Sequence, residues 1–180
     1  MPGHGWTLLY HDCFLEQLRK LEVAVERARK NDPDGFEGNA NVKLYRALID
    51  LAHDTIPQDP ARDEYRQGNT LGMSYRHWRR AKTGRRFRLF FRYDSKSKVI
   101  VYAWVNDEST LRSAGGKSDP YAVFEKMLEK GNPPDDWSAL IAASRVDPLA
   151  GMVKAPGRGG PRRLEEFDPA SLTRPRRPKS

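Results

Sequence analysis

The chain has 180 residues, a formal charge of +8 and a pI near 9.7, enough for one ordinary domain and some additional sequence. A hydrophobic fraction of 38% and a mean hydropathy of -0.79 allow a core. No run approaches the roughly 18 consecutive apolar residues that span a bilayer, so no membrane association is expected.

A single cysteine, Cys13, excludes an internal disulfide, and His4, His11, His53 and His77 are scattered, with no close pair at metal-ligand spacing. No metal or cofactor is therefore expected. The opening Met1-Pro2-Gly3-His4-Gly5-Trp6 has no basic region followed by an apolar run, which reads as a cytoplasmic protein without a secretory signal.

In chain order, Trp6 to Tyr10 suits an opening strand. Phe14, Leu18, Leu21, Val25 and Ala28 mark one face of a helix, which stops at the breaker cluster Asn31-Asp32-Pro33-Asp34-Gly35. Tyr45, Leu48, Ile49, Ala52 and Ile56 mark a second helix, ended by Pro57. His53 lies beside that stripe, as a half-buried helix residue or as a catalytic one. After a loop from Pro57 to Ser74, three strands follow: His77 to Thr83, Arg86 to Tyr93, and the β-branched and aromatic run Val99 to Val105. Asp119-Pro120 starts a helix with Tyr121, Phe124 and Leu128 on its apolar face, and a short helix from Asp135 to Ser144 packs Trp137, Leu140 and Ile141 on the sheet.

This order predicts an α+β fold: two N-terminal helices on one face of an antiparallel sheet, a closing helix, and the other face free for binding. The globular domain is read as 1–144. Residues 145–180 are expected to be a disordered tail, with six of the 13 prolines and a glycine cluster. That tail carries nine basic and four acidic residues, a net +5, which leaves the first 144 residues with only +3.

Within that mildly basic domain the charge is concentrated. Between Arg76 and Tyr93 stand eight basic residues and no acidic one: Arg76, Arg79, Arg80, Lys82, Arg85, Arg86, Arg88 and Arg92. Alternation along the strands groups Arg80 and Lys82 with Trp78, and Arg86, Arg88 and Arg92 with Phe90, while Phe87, Leu89, Phe91 and Tyr93 point the other way. Like charges facing each other destabilise a sheet, so such a row without acidic compensation points to an anionic partner. A solvated outer face is the competing reading.

Cleavage of RNA by its own 2′-hydroxyl needs a base, cations around the phosphorus and an acid for the leaving oxygen. Arginine cannot be the base but clamps phosphate with paired hydrogen bonds. Lysine can exchange a proton where neighbouring cations disfavour its charged form, which singles out Lys82. His77 could do the same or be a packing residue. Glu108 could serve as a base, or Asp107-Glu108-Ser109-Thr110 could cap a turn.

Several segments resemble the YhaV toxin family: Gly5 to Phe14, Phe87-Arg88-Leu89-Phe90-Phe91-Arg92-Tyr93, Trp104 to Arg112, Tyr121 to Leu128, and Gly131-Asn132-Pro133-Pro134-Asp135-Asp136-Trp137. The resemblance covers roughly Gly5 to Leu140 in the same order. It implies a RelE-like fold, metal-independent cleavage of mRNA, free or on the ribosome, arrest of translation, and neutralisation by a PrlF-like antitoxin. It places Arg80, Lys82, Arg88, Arg112 and Tyr121 at a catalytic site. Tyr121 could equally be the first core residue of its helix. Arg79, Arg85, Arg86 and Arg92 are the candidates for holding RNA. A non-catalytic basic module that blocks RNA or the ribosome is the alternative function.

Overall fold

The computed structural model describes residues 3–146. A first strand, β1 (Thr7–His11), leads directly into a 20-residue helix, α1 (Asp12–Asn31), whose first turn is capped by the His11 ring accepting from the Cys13 N–H. The helix ends where the breaker cluster begins, and the Asp32 carboxylate takes the Gly35 N–H to turn the chain. A second helix, α2 (Ala40–Asp50), packs on α1 through Val42, Tyr45 and Leu48.

Pro57 does not end this helix abruptly. The chain widens into a π turn over Leu51–Thr55 and continues as a short piece, α3 (Ile56–Gln58). A proline cannot donate to the carbonyl four residues back and its ring crowds that carbonyl. That carbonyl belongs to His53, and it accepts instead from the Gly3 N–H at 3.1 Å. His53 itself is fully buried, with Nε2 3.1 Å from the Tyr10 hydroxyl, which is deeper than the half-buried position expected for it.

The remaining strands are β2 (Arg79–Thr83), β3 (Phe87–Asp94) and β4 (Val99–Val105), followed by α4 (Pro120–Glu129), α5 (Trp137–Ala142) and β5 (Ser144–Val146). The α+β class holds, but the sheet departs from the expected one in two respects. Its order is β2-β3-β4-β1-β5, and β1 runs parallel to β4, so the sheet is mixed rather than antiparallel. The antiparallel meander is confined to β2, β3 and β4. The last strand pairs antiparallel with β1, and Arg145 Nε reaches the Asp12 carboxylate at 2.8 Å. The ordered unit thus runs at least through Val146, past the boundary read at Ser144; the rest of the expected tail lies outside the described residues.

Helices also cover both faces. α1 and α2 pack on Leu8, Tyr10, Leu89, Phe91, Ile100 and Tyr102. On the other face α4 and α5 bring Phe124, Leu128 and Leu140 against Leu9, Phe90, Val101 and Trp104. The reason is visible in β4, where every residue from Ile100 to Val105 is buried. A strand apolar on both sides must be covered on both. At the centre Phe124 stacks on Phe90, ring centres 4.3 Å apart, and lies nearly parallel to Trp104 at 5.9 Å, while Trp78 meets Phe124 edge-on. Such pairs contribute about 0.5–1.5 kcal/mol each beyond their burial. A bulge pairs Phe90 with Trp104 but Phe91 with Tyr102, so Ala103 is the additional residue and sits on the same side as Trp104. No face of the sheet is left open; what remains for binding is the margin beside α4.

Candidate active site

The hairpin β2–β3 turns at Gly84, whose φ of +60° suits glycine. Its register pairs Lys82 with Arg88 and Arg80 with Phe90, so all four lie on the α4 face. Lys82 is exposed, whereas Arg88 is only 6% exposed. The Arg88 guanidinium donates from one terminal nitrogen to the carbonyls of Arg85 (3.1 Å) and Phe87 (2.9 Å), and its buried Nε has no hydrogen-bond partner. Among the described residues no carboxylate pairs with it.

The loop after β4 closes on this hairpin through Asn106, which is 3% exposed. Its side-chain oxygen accepts the Arg88 N–H at 2.7 Å, and its amide donates to the carbonyls of Arg86 and Thr110, both at 2.9 Å. The Arg112 N–H adds a bond to the Arg86 carbonyl. One amide side chain therefore ties the hairpin to the segment that carries Arg112.

Asp119 orients that segment against α4. It is 4% exposed, caps Tyr121 through Oδ2, and accepts through Oδ1 from Arg112 and from the Ser113 N–H. Arg112 in turn lies over the Tyr121 ring at 4.9 Å. The Tyr121 hydroxyl accepts from Arg80 Nε at 2.8 Å, and Arg80 also donates to the Glu64 carbonyl. Tyr121 is therefore both things the sequence allowed: its ring packs edge-on against Phe90 in the core, and its oxygen stands among cations.

All five residues assigned to catalysis thus converge on one margin. The four assigned to RNA binding do not. Arg85 and Arg86 are exposed at the hairpin tip, beside the cluster. Arg79 points to the opposite face, over the Tyr93 ring at 5.7 Å. Arg92 shares the face of Arg88 but is enclosed, between the rings of Trp78 (5.5 Å) and Trp137 (5.1 Å) with a hydrogen bond to the Asp135 carbonyl.

Other candidates take structural positions. Glu108 sits in a single 3-10 turn capped by Asp107, whose carboxylate, despite its desolvation, is held down at about 2 by hydrogen bonds from Ser109, Gln17 and Thr110. His77 Nε2 is 2.6 Å from Asp135 Oδ1, which also accepts from the Trp78 indole. Burial pushes the Cys13 thiol up to about 11, which leaves it a poor nucleophile. Among the described residues no three His, Cys, Asp or Glu side chains gather as a metal site, and no helix is long and apolar enough to cross a membrane.

Asn106 and Asp119 were not singled out by sequence reasoning as site residues. Asp119 was legible only as a helix cap, and an asparagine at a strand end carries no signal of its own. Chemically, the margin presents fixed guanidinium groups, one exposed amine and one phenol, a set suited to hold an oxyanion and move protons beside it.

Comparison with known proteins gives the same direction. A family model described as a toxin with endonuclease activity, of a toxin-antitoxin system, matches residues 8–145. The chain is 42% identical over 139 residues to Toxin YhaV of Escherichia coli O6:H1 strain CFT073, covering 76% of this chain and 90% of that protein. The same identity and coverage relate it to Ribonuclease toxin YhaV of Escherichia coli strain K12. No solved structure gives a significant match. A match across nearly the whole described fold places this chain in the YhaV family of toxin–antitoxin toxins with endonuclease activity.

Proposed function

We propose that this protein is a cytoplasmic, metal-independent endoribonuclease that cleaves mRNA, arrests translation and is neutralised by a cognate PrlF-like antitoxin, on a RelE-like fold. The observation that carries the reading is Arg88: a buried cation with an unpartnered Nε and no carboxylate beside it. Burying an unpaired charge costs several kcal/mol in order of magnitude, so a fold retains one where an anion will complete it. The name of the 42% identical ribonuclease toxin supports RNA as that anion.

In the mechanism we assign, the 2′-oxygen attacks the adjacent phosphorus and the bond to the 5′-oxygen breaks. The 2′-hydroxyl proton passes to a base, and an acid protonates the departing 5′-oxygen, leaving a 2′,3′-cyclic phosphate and a 5′-hydroxyl. Arg88, Arg80 and Arg112 stabilise the charge that develops on the non-bridging oxygens. Lys82, across the hairpin from Arg88, and Tyr121, whose oxygen accepts from Arg80 and keeps its own proton to give, are the two proton carriers. Arg85 and Arg86 extend the contact along the backbone of the RNA.

The test is incubation of the purified protein with RNA, with and without ribosomes, in excess EDTA. Cleavage to cyclic-phosphate ends is expected to persist. No cleavage in either condition favours the non-catalytic blocking module; cleavage lost only in EDTA removes the metal-independent mechanism. Arg80→Ala and Arg88→Ala should each abolish growth arrest on induction, and two fully toxic variants would overturn the site.

A further inference from the structure

Beside the cationic cluster lies a cleft of about 290 Å³, formed where α4 meets the loop that leads into it. Arg112 and Tyr121 border it, so the cleft adjoins the phosphate clamp. Two carboxylates line it, and they differ. Asp119 is saturated by Arg112, the Ser113 N–H and the Tyr121 N–H. Glu125, one helical turn after Tyr121 on the same side of α4, is half-buried and makes no hydrogen bond or ion pair among the described residues.

Thr70 also lines the cleft, and its single hydroxyl proton is committed to Gln67 at 2.8 Å. It can offer the cleft only lone pairs. Apart from the Tyr121 hydroxyl, the polar side chains that line the cleft present acceptors, Glu125 foremost, next to the Arg112 guanidinium. An occupant must be attached to the clamped anion and must bring adjacent N–H donors.

We propose that this cleft is a nucleobase subsite next to the scissile phosphate, and that Glu125 makes it select guanine. The proposal rests on the ribonuclease reading and names what that site recognises. Single-stranded RNA is read through the edges of unstacked bases. Guanine offers N1–H and an exocyclic amino group side by side, and one carboxylate accepts both. Adenine and cytosine each offer one amino group beside a ring nitrogen lone pair, which faces the second carboxylate oxygen. Uracil places its single N–H between two carbonyls, which the carboxylate repels.

The experiment measures binding of the full chain to trinucleotides that lack 2′-hydroxyls and so cannot be cleaved, with guanine, inosine, adenine, cytosine or uracil at the centre. Guanine should bind about 10-fold more tightly, within the range for a paired base contact. Inosine, without the 2-amino group, should lose most of that advantage. Glu125→Ala, a favourable helix substitution, should erase it. Absence of a guanine preference, or one that persists in Glu125→Ala, would overturn the proposal. Cleavage of the matching RNA is followed in parallel. A Glu125-dependent guanine preference without cleavage supports the subsite and removes the ribonuclease reading; cleavage without that preference removes the subsite alone.

Discussion

Arg88 and Arg92 are the same residue type, four positions apart on β3 and on the same face of the sheet, yet their surroundings are opposite. Arg92 is enclosed by two indole rings, donates to the Asp135 carbonyl, and belongs to a knot in which Trp78 and His77 hold the Asp135 carboxylate. Burial lowers its pKa against the raising effect of Asp135 and Asp136, but its partners are all present. Arg88 is more deeply buried, its guanidinium bonds only to carbonyls of its own hairpin, and its Nε is unpartnered. One end of the α4 face is finished as structure; the other is left incomplete in charge.

The largest effect separates these ends directly. Arg88→Met keeps volume and removes the charge. Cleavage is expected to fall by about 100-fold or more, the scale of losing one fixed stabiliser of a developing oxyanion, with no loss of thermal stability. Arg92→Met should behave inversely: full cleavage per folded molecule, and stability lower by about 1–2 kcal/mol in denaturant titration from the lost aromatic and carbonyl contacts. If Arg88→Met is the less stable protein and Arg92→Met the inactive one, the contrast is the wrong way round.

Asn106 sharpens the comparison, because it holds the incomplete end in shape without adding charge. Asn106→Ala removes three hydrogen bonds and leaves the buried Arg88 N–H and the part-buried Thr110 carbonyl without this partner, while the Arg86 carbonyl keeps only the Arg112 N–H. A destabilisation of about 2–3 kcal/mol is expected, together with reduced cleavage in the fraction that remains folded.

The smallest effect lies on the far side of the sheet. Glu22 is buried between α1 and α2, and burial, reinforced by Glu26, pushes its pKa up to about 7 despite help from Tyr45 and Arg29. The folded pKa exceeds the unfolded one, so the folded state binds more protons between them. Stability should therefore decline as pH rises from about 4.5 to about 7 and level off above. Glu22→Gln should flatten that slope and raise stability at pH 8 by on the order of 1 kcal/mol, as read by thermal melts across pH. A slope unchanged in the variant would assign the pH dependence elsewhere.

Much of this is legible in the sequence. The apolar stripe from Phe14 to Ala28, the breakers after Asn31, the cap at Asp119-Pro120 and the run Val99–Val105 each correspond to an observed element. The face assignment of the hairpin held as well, with Leu89 and Phe91 against α1 and α2 and Phe90 opposite. The short β5 escaped notice because three residues carry too little pattern. The double covering of the sheet overturns the expected free face, although the uninterrupted apolar run of β4 is the mark of a strand buried on both faces. The parallel placement of β1 had no local signal at all.

The sequence by itself determined the main helices and strands, the concentration of charge in one hairpin, and the family, since each depends on residues a few positions apart or on their order along the chain. Only the tertiary structure decided which of the arginines are available. The partners that make the difference lie far off in sequence: 43 positions separate Arg92 from the Asp135 carbonyl that occupies it, and 41 separate Arg80 from the Tyr121 hydroxyl it orients. A cation's availability depends on what the fold brings to it, and no periodicity along the chain encodes that.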